Sequence, residues 1–286
     1  MKQRDPIASG MFYPSDPGEL KELMEQLFTH RLGPGRKPQQ PSGRIAGVVG
    51  YVVPHAGYVY SGPVASHVYY DLSMRGLPDT IIIIGTNHTG LGAPVSVFPG
   101  GSWRTPLGEL KVDEEVAKAI VENSEIAELD IEAHLEEHSI EVQLPFIQYI
   151  YGDSVTIVPV VTGIHTPEVA TDLANAITIS LEKTGRSAVI LASSDFNHYD
   201  PHEITVEKDQ EAIQRILSLD VEGFYATILR RGVTVCGPGG IMTLMQYARR
   251  RGLRPRLLKY ATSGDVSGDK SFVVGYASIL FEKQGI

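Results

Sequence analysis

Four runs of apolar residues punctuate the chain, at 45–53, 81–84, 155–161 and 188–192. They are short, rich in Val and Ile, and do not alternate with polar residues. Such runs fit strands buried on both faces, as in a parallel sheet covered by helices. Elsewhere apolar positions recur at helical spacing, which predicts helices over 63–74, 113–122, 139–151, 167–183, 202–217, 221–230 and 239–250. Pro145 should kink or restart the third of these. An earlier helix has Asp16 as its cap, Pro17 at its first position, and Leu20, Leu23, Met24, Leu27 and Phe28 along one face. The Gly- and Pro-rich stretch 31–43 then reads as a loop. The ~30 residues before it are too few for a core of their own. Residues 1–43 are therefore expected to pack as helix and loop on a single domain spanning 1–286. Near the end, 257–281 reads as two strands around a turn at 263–269. The prediction is one α/β domain whose central sheet, largely parallel or mixed, is flanked by helices.

Composition narrows the class. The 286 residues carry 25 Lys and Arg against 34 Asp and Glu, a formal charge of −9. An acidic chain is poorly suited to neutralising phosphates, which argues against a nucleic-acid partner. Apolar residues make up 42% and charged residues 21%, a globular balance that excludes wholesale disorder. The single cysteine, Cys236, forbids an internal disulfide and suits a reducing compartment. No apolar run reaches the ~18–20 residues of a membrane span, and Met1-Lys2-Gln3-Arg4-Asp5 opens no secretion signal. The expectation is a soluble, cytoplasmic protein with no membrane partner.

Histidines gather where the pattern ends its strands. Val53 leads to His55, Ile84 to His88, Val161 to His165, and Ala192 to Asp195 and His198. In open α/β sheets the ligand site lies outside the carboxyl ends of the strands, so parallel order would bring these residues to one edge. Cys236 sits in a glycine-rich turn opening an apolar helix, where the helix dipole should favour its thiolate. Two histidines and a thiolate make a three-ligand site with open positions, suited to iron, copper or zinc. The segment His134-Leu135-Glu136-Glu137-His138 only loosely resembles a zinc-protease helix, which needs Glu directly after the first His, and that reading is rejected. Glu136 reads as solvated, while His138 and Glu141, three residues apart, are candidates for a pocket wall. The basic residues Arg249, Arg250, Arg251, Arg254, Arg256 and Lys259 read as a solvated helix end. Neither a P-loop nor a nucleophile elbow is present.

Taken in order, several short segments resemble the Memo family: Pro54-His55-Ala56-Gly57-Tyr58 with Ser61-Gly62, Gly85-Thr86-Asn87-His88, Arg104-Thr105-Pro106-Leu107, Glu137-His138-Ser139-Ile140-Glu141, Ser193-Ser194-Asp195-Phe196 with His198, and Cys236-Gly237. The resemblance implies the fold of class III extradiol dioxygenases, with a non-haem metal site at one sheet edge. Carried over, His55 and His88 take two ligand positions and Cys236 stands where those enzymes have a carboxylate. His198 takes the acid/base position, with Asp195 orienting it or a ligand histidine. Tyr58, Asn87, Arg104, His138 and Glu141 are implied as pocket residues, and His165 reverts to a turn residue. The thiolate shifts preference toward Cu(I), zinc or thiolate-ligated iron. Metal-dependent redox or dioxygenase-like chemistry on a small substrate is the leading expectation. The alternatives are a module that binds a peptide or anion, and a metal-binding protein without turnover.

Overall fold

A computed structural model describes residues 3–46 and 48–285. Residues 1, 2, 47 and 286 lie outside it, so the extremes of the 1–286 assignment and Gly47 within the predicted strand 45–53 are not described.

The chain opens with a short strand, β1 (Gln3–Arg4), and helix α1 (Pro17–Thr29), which Asp16 caps by accepting from the Glu19 N–H. Strand β2 (Val48–Val53) leads to α2 (Tyr58–Ser73) and β3 (Thr80–Thr86). Next come β4 (Val95–Val97), the hairpin β5 (Ser102–Thr105) and β6 (Gly108–Lys111), α3 (Glu114–Glu122), β7 (Glu128–Leu129) and α4 (Glu132–Leu135). A 3₁₀ turn at Glu141–Gln143 precedes α5 (Leu144–Tyr151), with Pro145 in the first helical turn, so the chain restarts there as expected. The rest is β8 (Thr156–Thr162), α6 (Pro167–Thr184), β9 (Ala188–Ser193), β10 (His198–Asp200), α7 (His202–Leu217), α8 (Val221–Arg231), α9 (Pro238–Arg251), β11 (Arg254–Thr262), α10 (Ser263–Ser267) and β12 (Val273–Glu282).

The main sheet runs β10-β12-β2-β9-β3-β8-β4-β7, with β11 against β12. Its centre, β2-β9-β3-β8, is parallel, while β12 and β4 join antiparallel on either side. Alternate side chains enter two cores. Ile81 and Ile83 pack with α1, α2 and α5, whereas Ile82 and Ile84 pack with α3, α6, α7, α8 and α9. Both faces being covered, the strands read as unbroken apolar runs. The architecture is the mixed, helix-flanked α/β fold.

Two features depart from the pattern reading. Helix α2 starts at Tyr58 rather than at residue 63. Ser61 and Gly62 look like breakers, yet a Cβ on Gly62 would lie 2.5 Å from Leu27 Cδ1, so this glycine permits the close approach of α1. The small sheet β1-β5-β6 was also not legible, because a two-residue strand has no period to detect. Among the described residues no helix is long and apolar enough to cross a membrane.

Candidate metal centre

All four histidine-bearing loops leave the same edge, because β2, β3, β8 and β9 are parallel neighbours. His55 follows β2, His88 follows β3, and Cys236 stands two residues before α9. The approach of α9 is close: a Cβ on Gly237 would meet the Ser193 carbonyl at 2.8 Å. His55 Nε2 lies 3.1 Å from Cys236 Sγ, and the His55 and His88 rings meet edge to face at 5.4 Å between centroids. One donor atom from each of His55, His88 and Cys236 falls within 4.8 Å of the other two.

Hydrogen bonds fix the imidazoles. Ser193 Oγ donates to the Ser139 carbonyl at 2.6 Å and accepts from Gln143 Nε2 at 3.0 Å. Its remaining lone pair accepts a hydrogen bond from His55 Nδ1–H at 3.0 Å, which leaves Nε2 bare and facing the sulfur. His88 Nδ1 lies 3.0 Å from both oxygens of Glu137, so its Nε2 is also free to ligate. Anchoring Nδ1 and presenting Nε2 is how metal-binding histidines are usually held. The donor set fits a transition metal.

Burial, followed by the charge of His88, pushes the His55 pKa down to about 3, keeping it neutral. Burial would lower His88 as well, but the hydrogen bond and charge of Glu137 outweigh it and raise its pKa. For Glu137 burial is likewise outweighed, by His88 and by the N–H groups of His88 and Ser139, and its pKa falls to about 2. Cys236 corrects the expectation of an acidic thiol. Burial, then the charge of Asp195, drives its pKa up, and the N–H of Asp195 at 3.2 Å offsets only part of this. A bound divalent cation would reverse that balance, since a coordinating thiol is deprotonated outright.

The cleft above these atoms has a volume of about 480 Å³. His138 lines it, stacked on His88 at 4.7 Å on one face and on Phe12 at 4.3 Å on the other. Burial, then His55, lowers the His138 pKa to about 4. His198 also lines the cleft, its Nδ1 donating to the Thr234 carbonyl at 2.9 Å, which leaves Nε2 as an acceptor. Tyr199 beside it has φ +66° and is the extra residue of a bulge against β12, a device that re-aims neighbouring side chains. Asp195 is buried, and its Oδ1 accepts the His55 N–H at 2.8 Å while Oδ2 lies 4.0 Å from His55 Nε2. Burial raises its pKa. Asp195 is thus placed to orient His55 rather than His198.

Four residues expected in the pocket do not line it. Tyr58 is buried and donates its hydroxyl to the Val142 carbonyl. Asn87 braces its own loop, donating to the Leu91 carbonyl and accepting from the Thr89 and Gly90 N–H groups. Arg104 lies exposed on β5, paired with Asp5 at 2.6 Å. Glu141 is fully buried and ion-paired with Arg4. His138 and Glu141 share no helix face, because α4 ends at Leu135 and the next turn begins only at Glu141. His165 braces the start of α9, accepting from the Gly239 N–H. Sequence reasoning gave Glu137 no role, although it neighbours a candidate pocket histidine and opens one of the segments that carry the family resemblance. It also missed Asn197, buried, which takes the N–H and hydroxyl of Thr234 on its Oδ1 and so ties the His198 strand to the Cys236 turn.

Fold and site together define an α/β protein with a His-His-Cys donor set at the carboxyl edge of its parallel strands. The chain belongs to the Memo family: the model of that family, described as Memo-like protein, matches residues 4–280. A MEMO1 family protein of Desulfurococcus amylolyticus is 59% identical, over 98% of this chain and 99% of its own length. Those of Ignicoccus hospitalis and Sulfurisphaera tokodaii are 51% and 49% identical, over 98% and 97% of this chain and 99% of their own lengths.

Proposed function

We propose that His55, His88 and Cys236 hold one transition-metal ion, iron or copper with zinc as a further candidate, and that the protein carries out metal-dependent redox or dioxygenase-like chemistry on a small substrate. The observation that carries this reading is the pair of imidazoles whose Nδ1 atoms are anchored and whose Nε2 atoms are bare beside the thiol. The metal, when bound, would supply redox or Lewis-acid chemistry. This chain's residues would do the rest. His138, held between Phe12 and His88 with both ring faces covered, can present only its ring edge to a substrate in the cleft. His198, with Nδ1–H committed to Thr234, can take a proton from a substrate hydroxyl on Nε2. Asp195 holds the His55 backbone in register with the sulfur. A lone cysteine used as a ligand accords with a reducing, cytoplasmic setting, and the acidic chain with a partner that is neither nucleic acid nor membrane.

The test is metal analysis of untagged protein purified without chelator, alongside His55→Ala, Cys236→Ser and His198→Ala. Stoichiometric iron or copper in the parent and in His198→Ala, but not in the other two, is expected. A parent that neither carries nor takes up metal sinks the reading. Full metal content in Cys236→Ser would return the thiol to a packing role.

A further inference from the structure

We propose that Glu137 is a positioning residue whose buried charge biases this centre toward divalent over monovalent metal ions. The inference rests on the reading of His55, His88 and Cys236 as ligands. The two imidazoles are backed by unlike groups. Behind His55 stands Ser193, a neutral hydroxyl whose own partners, Ser139 and Gln143, are neutral too. Behind His88 stands a carboxylate whose side chain is 1% exposed.

Glu137 is built to stay charged. Oε1 accepts the His88 N–H at 2.6 Å, Oε2 accepts the Ser139 N–H at 2.8 Å, and both reach His88 Nδ1 at 3.0 Å. Arg4 gives a hydrogen bond to the Glu137 carbonyl, but its ion pair is with Glu141. The Glu137 charge is therefore directed through His88 toward the cleft, and no lysine or arginine among the described residues forms an ion pair with it.

Coulomb energy scales with the charge of the ion, so a fixed anion behind a ligand favours a 2+ ion twice as strongly as a 1+ ion in the same place. Outer partners of metal-bound histidines are worth about 10–100-fold in affinity. If that loss applies to a divalent ion on removing Glu137, a monovalent ion loses only about its square root, 3–10-fold. The ratio of the two affinities then falls by the same 3–10-fold. A purely steric role would lower both affinities alike and leave the ratio unchanged.

The experiment titrates the full-length protein with Fe(II) anaerobically and with Cu(I) against a competing chelator, for the parent, Glu137→Gln, Glu137→Asp and His88→Ala. Glu137→Gln keeps the volume but sets an amide donor against backbone donors. Its expected result is a fall in the Fe(II)/Cu(I) affinity ratio of about 3–10-fold. Glu137→Asp keeps the charge but withdraws it from His88, and should fall between parent and Gln. It carries the test should the Gln variant fail to fold. Equal losses for both ions, or none, overturn the role of Glu137 while leaving the ligand assignment intact. Parent-like binding by His88→Ala, or a parent that binds neither ion, overturns the assignment itself and the inference with it.

Discussion

Glu137 and Glu141 lie four residues apart and both are buried, yet they serve opposite regions of the molecule. Glu137 stands behind His88 at the cleft, where its partners are an imidazole and two backbone N–H groups. Glu141 faces the N-terminal arm, accepting from Arg4 Nη1 at 2.7 Å, from the N–H groups of Ile7 and Ala8, and from the Tyr13 hydroxyl. A carboxylate matched to a permanent guanidinium is a fixed joint. One matched to an imidazole can exchange its influence with whatever binds on the other side of that ring. Both belong to one short motif, and only the identity of the distant partner tells them apart.

The joint should be the costlier to break. Replacing Glu141 with Ala strands the buried charge of Arg4 and three further donors. Removing one partner of a buried pair costs about 3–5 kcal/mol. Urea unfolding should show a loss of that size, with the metal-free Glu137→Gln variant losing less. A loss under about 1 kcal/mol for Glu141→Ala, the range of an exposed pair, would mean that the arm is not held where the structure has it.

A third buried carboxylate sharpens the contrast through pH. Asp209 on α7 accepts from the Asn197 N–H and the Tyr260 hydroxyl, with Lys208 turned instead to Asp200. With no ion pair to a cation among the described residues, it is pushed up to about 7 by burial. The unfolded side chain titrates near ~3.9, so between those values the native state binds more protons. The stability it contributes is fully present below pH ~4 and is lost as pH rises through 7, by up to about 4 kcal/mol. Asp209→Asn keeps an acceptor for Asn197 and lets the Tyr260 hydroxyl reverse its role. Its stability should change less between pH 4 and 8 than the parent's, and parallel profiles would show that Asp209 does not titrate there.

Within the site, the neutral arm should matter less than the charged one. Ser193→Ala removes the acceptor that fixes the His55 tautomer but takes no charge from the metal's surroundings. Affinity should fall by about 10-fold, the low end for an outer partner, and equally for Fe(II) and Cu(I). A ratio that shifted as it does for Glu137→Gln would erase the distinction between the two arms.

How much of this was legible follows from what periodicity can carry. The buried strands announced themselves because both faces of the sheet are covered, and the histidines at their ends followed from parallel order. His55, His88, His198 and Cys236 do meet at one edge. Burial direction was not legible. Whether Tyr58 or Glu141 points at the cleft or at a neighbouring helix depends on the angle at which α2 and the N-terminal arm dock, and neither angle leaves a trace in residue spacing. Arg104 was misplaced for a related reason. Its hairpin belongs to a second small sheet whose first strand, β1, is two residues long. The thiol of Cys236 went the other way from expectation because burial and the charge of Asp195 outweigh the hydrogen bonds the sulfur receives from the Asp195 N–H and Ser194.

That small sheet supplies the mildest test. Arg4 and Asp5 are adjacent, yet one makes a buried ion pair with Glu141 and the other an exposed pair with Arg104, whose side chains are 67% and 50% accessible. Water and salt screen the outer pair, and such pairs are worth about 0–1 kcal/mol. Arg104→Ala should therefore cost no more than that, and raising the salt to about 1 M, where the screening length is ~3 Å, should remove most of the difference. Metal affinity should be unchanged, because the guanidinium does not line the cleft. A tenfold loss of metal or ligand binding in this variant, with stability intact, would put Arg104 back in the pocket. It would mean that the hairpin β5–β6 swings over the site in solution, and the contrast between Arg4 and Asp5 would then be one of function rather than of burial.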